Sequence, residues 1–231
     1  VSAVPLPDPD ALASLLAAGV EPPLAERLAV YAALVMAANR RVNLTGAKTG
    51  ALFAEHILDA LTLRADVVSP LVDVGSGNGI PGIPLALATN ARVTLVEPIK
   101  KRAVFLTTTL AALGIDGTVV NARAEDAARD PAHRDAYQTA TARAVASAPA
   151  VAELTAPFLE TGGRALLQRG AIDEKERNAL ADAALVLSSR LIEERPLDGE
   201  RRVLILEKTG PTTARFPRKD GVPAKRPLCL Q

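Results

Sequence analysis

The spacing of apolar residues changes character near residue 70. Before that point, ALASLLAAG (11–19), PPLAERLAVYAALVMAANRR (22–41) and ALFAEHILDALTL (51–63) carry apolar residues three and four apart, which predicts amphipathic helices. Asp8 and Asp10 around Pro9 cap the first, Gly19 stops it, and Pro22 and Pro23 open the second. Without a strand signal there, residues 1–69 are expected to form an N-terminal helical subdomain. From 71 onward, short β-branched runs alternate with helical ones. LVDV (71–74), ARVTLVE (91–97), GTVVNA (117–122), YQTATARA (137–144) and GGRALLQR (162–169) predict strands. IPLALA (83–88), IKKRAVFLTTTLAALG (99–114), AEDAARD (124–130) and SAPAVAELTAPFL (147–159) predict the helices between them. Strands separated by helices pair in parallel through right-handed crossovers, so 70–210 is expected to be a doubly wound α/β sheet. A charged helix over 173–186 precedes two closing strands, SSRLIEERPL (188–197) and ERRVLILEK (200–208), expected to be antiparallel. They bring the sheet to seven strands, mostly parallel, and leave 211–231 as a basic C-terminal tail.

Composition narrows the chemistry more than the fold. Only six of 231 residues are aromatic while 48% are apolar, so Ala, Leu and Val must fill the core. The single cysteine, Cys229, excludes an internal disulfide framework and a cysteine-based metal cluster, and no metal is expected. Charge or proline interrupts each apolar stretch well before the roughly 20 residues of a membrane span, so the expectation is a soluble cytoplasmic protein. Net charge is +1, yet the last twenty residues hold Arg215, Arg218, Lys219, Lys225 and Arg226 against Asp220 alone. Such a run is either a solvated terminus or the footprint of a polyanion.

The stretch VDVGSGNGIPGIPL (72–85) reads as strand, glycine turn and helix, and two registers compete. Gly77, Gly79 and Gly82 satisfy the dinucleotide spacing GxGxxG; Gly75, Gly77 and Gly79 give the GxGxG of S-adenosylmethionine-binding methyltransferases. The strand ends directly before Gly75, and a fingerprint starting there meets Ile80 where glycine is needed. Asp73 at the strand tip would repel a pyrophosphate and attract a sulfonium or an ammonium; alternatively it only caps the turn. Glu97 closes the second strand, where an acid can accept both hydroxyls of a ribose. Glu125 and Asp126 follow the third, where they either meet an adenine amino group or simply favour the helix dipole.

With RVNLT (41–45), EHILDAL (55–61), VDVGSGNGIPGIPLA (72–86), LVEPIKKRAVFL (95–106), ARAE (122–125), TARAVA (141–146), DGERRVLILEK (198–208) and FPRKDGVPAKRPL (216–228), the chain resembles the bacterial small-subunit ribosomal RNA guanine-N7 methyltransferases, the RsmG or GidB family. The resemblance implies a Rossmann-like methyltransferase sheet and an S-adenosylmethionine site. Its residues would be Asp73, Gly75, Gly77, Gly79, Ile80, Glu97, Pro98, Ile99, Ala124, Glu125 and Arg143. It also implies 16S ribosomal RNA or the small subunit as partner, to a protein expected to be a monomer.

Which nucleophile accepts the methyl group decides which side chains are required. Pyrimidine C5 methylation demands a cysteine, and Cys229 lies in the tail as Leu-Cys-Leu. Amino-group methylation usually uses an Asn/Asp-Pro-Pro-aromatic loop after the fourth strand, where this chain reads Thr-Ala-Arg-Ala-Val. Guanine N7 has a lone pair and loses no proton, so no general base is needed. Arginine reads the O6 and N7 acceptors, which makes Arg123, Arg143 and Arg201 candidates for holding base, phosphate or cofactor carboxylate. His56 and Asp59, one helical turn apart, are read as touching or packing, and Asn43 and Thr45 as caps near the substrate side. Lys100, Lys101 and Arg102 join the tail cations as RNA-contact candidates. A small-molecule methyltransferase, a non-catalytic RNA-binding protein on the same fold and an NAD-dependent oxidoreductase remain the alternatives.

Overall fold

The computed structural model describes residues 5–143 and 146–228. Cys229 and Ala144, on which sequence readings fall, lie outside that range. Three helices come first: α1 (Pro9–Ala17), α2 (Pro22–Val42) and α3 (Gly50–Leu61). Asp8 caps α1 by accepting from the Ala11 amide at 2.9 Å, and Thr49 caps α3 through the Leu52 amide. Asn43, in the left-handed conformation, ends α2.

The remainder alternates as its sequence predicts: β1 (Leu71–Val74), α4 (Gly82–Thr89), β2 (Val93–Val96), α5 (Lys100–Leu113), β3 (Gly117–Val120), α6 (Ala124–Ala127), β4 (Tyr137–Arg143), α7 (Ala148–Thr155), β5 (Leu159–Arg169), α8 (Glu174–Val186), β6 (Ser189–Pro196), β7 (Arg202–Lys208) and α9 (Val222–Lys225). The seven strands lie in the order β3-β2-β1-β4-β5-β7-β6. The first five are parallel, and β7 runs antiparallel to both of its neighbours. Hence β7 is inserted between β5 and β6, a placement that alternation alone does not predict. Strand order reverses between β1 and β4, and ligands bind at such a switch point, beyond the carboxyl ends of the strands.

One apolar cluster joins Leu15, Leu28, Tyr31, Phe53 and Ile57 of the N-terminal helices to Ile83, Leu95 and Leu106 of the sheet layer, so these helices share the sheet's core on one face. The other face is filled by α7 and α8, with Phe158, Leu180 and Leu204 among its buried residues. Several edges differ from expectation. β5 begins at Leu159 rather than 162, because Tyr137 of β4 pairs with Leu159 before the register shifts. AEDAARD gives one short helix and a turn, and α7 passes into a 3₁₀ turn at Pro157. No helix among the described residues is long and apolar enough to cross a membrane.

Candidate functional site

Strand β1 delivers the chain to Gly75, and the three alternating glycines adopt φ of 73°, 57° and 104°. Positive φ is cheap only for glycine, which explains the GxGxG spacing. The amides of Gly75 and Ser76 both donate to the Val96 carbonyl (2.9 and 3.1 Å), folding the loop back onto the end of β2. Gly82 is small for a different reason: a Cβ there would lie 2.8 Å from Asp73 Cβ and 2.7 Å from Leu95 Cδ2.

Between the two roles open to Asp73, the geometry shows the cap. Its carboxylate is turned beneath the loop, 1% exposed, and accepts from the Thr141 hydroxyl (3.0 Å) and the Gly82 amide (3.3 Å). Burial pushes its pKa up to about 6, against the lowering effect of those donors. It does not line the cleft above.

Glu97, 2% exposed, accepts from the Gly77 amide on one oxygen and the Ile99 amide on the other, each at 2.8 Å. Each oxygen accepts one hydrogen bond and so keeps further acceptor capacity. Pro98 and Ile99 are exposed beside it, and Asn121 braces this turn by donating to the carbonyls of Glu97 and Pro98. Ala124 and Glu125 open α6 at the end of β3; Glu125 is buried and accepts from the Gly221 amide at 2.9 Å. The predicted positions thus lie at the carboxyl ends of β1, β2, β3 and β4.

A cleft of about 290 Å³ lies over the glycine loop, walled by Gly75, Gly77, Ile80, Thr45, Arg102 and Arg143 among others. Arg143 also walls a second cavity of about 300 Å³ toward β5, with Asp59, Gln168 and Arg201. Its guanidinium donates to the His56 carbonyl (3.3 Å), meets His56 Nδ1 at 3.0 Å and lies 3.6 Å from Asp59. Because Arg143 donates to Nδ1, His56 is neutral with its proton on Nε2. Burial and then the Arg143 charge hold the imidazole pKa below its ordinary value. Arg143 therefore reaches both His56 and Asp59, one helical turn apart, which the sequence left as touching or packing.

The three candidate arginines do not form one cluster. Arg143 and Arg201 converge on Asp59, whereas Arg123 lies at α6 and pairs with Asp220 of the C-terminal segment at 2.6 Å. That segment packs onto the body. Phe216 is buried with Arg215 over its ring, Arg129 and Arg134 donate to its carbonyls, and Arg218 pairs with the fully buried Glu153 at 2.6 Å. Arg218 is therefore committed to the fold. Lys219, Lys225, Arg226, Lys100 and Lys101 are exposed, while Arg102 is half-buried, its guanidinium 3.4 Å from the Asn43 carbonyl.

Sequence reasoning missed Tyr31 and Thr141. Tyr31, fully buried on α2, donates to the Asn78 carbonyl at 2.8 Å and so anchors the glycine loop to the N-terminal helices. Its scarcity as one of two tyrosines was the only signal. Asn39 was also passed over; its side chain accepts from the amides of Leu44 and Thr45 and donates to the Thr45 carbonyl, shaping the cleft's outer lip.

Residues 24–204 match the family model described as GidB, rRNA small subunit methyltransferase G. The ribosomal RNA small subunit methyltransferase G of Rubrobacter xylanophilus is 45% identical over 85% of this chain and 81% of its own length. The protein of the same name from Deinococcus radiodurans is 39% identical over 89% and 86%. Among solved structures, the mitomycin 7-O-methyltransferase MmcR superposes with a TM-score of 0.56 at 16% identity, covering 69% of this chain and 56% of that one. A mutant of MtNAS in complex with S-adenosylmethionine gives 0.54 at 15% identity over 84% and 81%. These two likenesses show the fold alone.

Proposed function

The chain belongs to the rRNA small subunit methyltransferase G family, and from that premise we propose that it transfers a methyl group from S-adenosylmethionine to N7 of a guanine in 16S ribosomal RNA. The observation that carries the reading is the cleft at the switch point, walled by the glycine loop after β1 and by Arg143 at the end of β4, with Glu97 at the end of β2 holding that loop through the Gly77 amide.

The residues present fit this cofactor. Gly75 and Gly77 bring bare backbone to one wall, Gly79 being buried against Ile83, and an acid at the end of β2 is the candidate partner of a ribose diol. Ile99, exposed at the same turn, offers an apolar face for a purine, and Glu125 an acceptor for its amino group. Arg143 supplies the cation for a carboxylate. When bound, S-adenosylmethionine supplies an electrophilic methyl on a sulfonium. What remains for the chain is to bring the guanine in line and exclude water, which is catalysis by positioning. No base is needed, which agrees with a His56 whose Nδ1 lone pair is taken by Arg143.

The exposed cations Lys100, Lys101, Lys219, Lys225 and Arg226, with Arg215, are proposed to meet RNA phosphates. The protein is proposed to act on this RNA as a monomer in the cytoplasm. The test is incubation of purified small-subunit RNA with methyl-labelled cofactor, followed by nucleoside analysis. Labelled 7-methylguanosine is expected; label in another nucleoside, or none, overturns the reading.

A further inference from the structure

A second cavity lies beside Arg143 and shares only that residue with the cleft over the glycine loop. Its volume, about 300 Å³, is at the small end of ligand pockets, the scale of a single base. Its walls are small and apolar, Ala142, Ala148, Val151, Leu167 and Leu197, as suits the two faces of a ring. The polar groups gather at one side. Arg169 is already paired with Glu176 at 2.8 Å, and Glu176 also holds the Ala148 amide, so this pair braces the start of α7. That leaves Arg143, Arg201, Asp59 and Gln168, whose Oε1 is buried without a hydrogen-bond partner among the described residues. The Asp59 carboxylate is ion-paired with Arg201 and stands 3.6 Å from Arg143, longer than a hydrogen bond. Its backbone carbonyl is fixed by Gln168 at 2.7 Å, which locks that turn of α3 against β5.

We propose that this cavity receives the target guanine, extruded from its RNA strand, and that Asp59 selects guanine by accepting from its N1–H and exocyclic amino group. The proposal rests on the function proposed above and names the part of the protein that chooses the base. N7 is the nucleophile, so no arginine can occupy it during transfer; the bidentate O6/N7 contact considered from sequence gives way to a contact with O6 alone. Arg143 or Arg201 provides that donor. The Watson–Crick edge then faces Asp59, a pure acceptor when ionised. Guanine presents two donors there, whereas adenine presents the lone pair of N1, which the carboxylate repels.

The charge balance favours the same arrangement. The N7 lone pair forms the new N–CH3 bond, the S–CH3 pair returns to sulfur, and no proton moves, so positive charge passes from sulfonium to purine. Two arginines alone would oppose that transfer. Asp59 offsets them where the ring becomes cationic.

The experiment compares small-subunit RNA carrying guanosine or inosine at the mapped target, using wild-type protein and Asp59→Asn. Inosine keeps N7, O6 and N1–H and lacks only the amino group. Wild type is expected to methylate guanosine with kcat/KM about ten- to a hundredfold above inosine, the span of one hydrogen bond to a charged group. Asp59→Asn should lose guanosine activity while its guanosine-to-inosine ratio falls toward one, with calorimetric cofactor affinity within threefold of wild type. A purely structural Asp59 would leave the ratio unchanged, and that outcome overturns the proposal. As a second variant, Leu197→Trp fills the cavity from its wall and should abolish RNA methylation while cofactor binding persists; wild-type turnover would equally overturn it. If wild-type protein forms no 7-methylguanosine, it is the functional reading that fails, and the base pocket with it.

Discussion

The Asp73 carboxyl is kept near pKa 6 by burial beneath the glycine loop, although Thr141 and Gly82 donate to it. Since its folded value lies above the ordinary 3.8, the fold favours the protonated form. That contribution to stability is complete below 3.8 and is lost as pH rises through about 6, for a cost of roughly 3 kcal/mol at neutral pH by the usual conversion. His56 works in the opposite sense: its lowered pKa makes stability decline as pH falls below 6.5. In Asp73→Asn the His56 contribution is common to both proteins and cancels. Urea unfolding at intervals from pH 4 to 7 should show the variant gaining on wild type as pH rises, levelling off above about 6; a difference independent of pH would refute the assigned cause. The position of Asp73 was readable from sequence, but its direction was not, because whether a strand-tip acid turns up to a ligand or down to an amide depends on Thr141, distant in the chain and adjacent only through β1–β4 pairing.

Helix α2 acts on the cofactor loop through one bond, from the Tyr31 hydroxyl to the Asn78 carbonyl, with the ring packed edge-on against Phe53 of α3 at 5.5 Å. Tyr31→Phe keeps the packing and removes the bond. The expected result is a loss of about 1 kcal/mol in chemical denaturation and weaker cofactor binding by a few-fold, with far-UV dichroism unchanged. Unaltered cofactor affinity would show that the loop holds itself. At this scale the sequence was most informative. Helices and parallel strands emerged from periodicity because each buries a continuous apolar face, as the four-residue strands β1 and β2 do along their whole length. What periodicity could not supply was order across the sheet. The continuous apolar run VLIL marks β7 as an inside strand and the charged SRLIEERP marks β6 as an edge, but that β7 also pairs with β5, ahead of β6 in the sheet, is decided only by packing. Likewise the three arginines share the same local context of strand ends, and only the sheet order separates Arg123 from the other two.

Across the whole molecule, the segment from Thr212 to Leu228 forms a brace whose charge was legible in sequence but whose attachment was not. Its firmest anchor is the Glu153 carboxylate, which accepts from the amide and from Nε and Nη2 of Arg218. Glu153→Gln should loosen this anchor by about 1–1.5 kcal/mol, the difference between a hydrogen bond to a charged group and one to a neutral group. The readout is trypsin cleavage between residues 215 and 226 under native conditions, expected to be faster in the variant; equal protection would mean that Phe216 and the arginine–carbonyl bonds suffice. The same segment reaches Glu125 through the Gly221 amide, a contact between residues 96 apart in the chain. Translation makes the sheet first and this brace afterward, so a nascent chain can assemble the sheet and still lack one support of the turn that follows β3. The final support arrives only when the later segment has been made and has docked, giving the order of synthesis a place in how the site is completed.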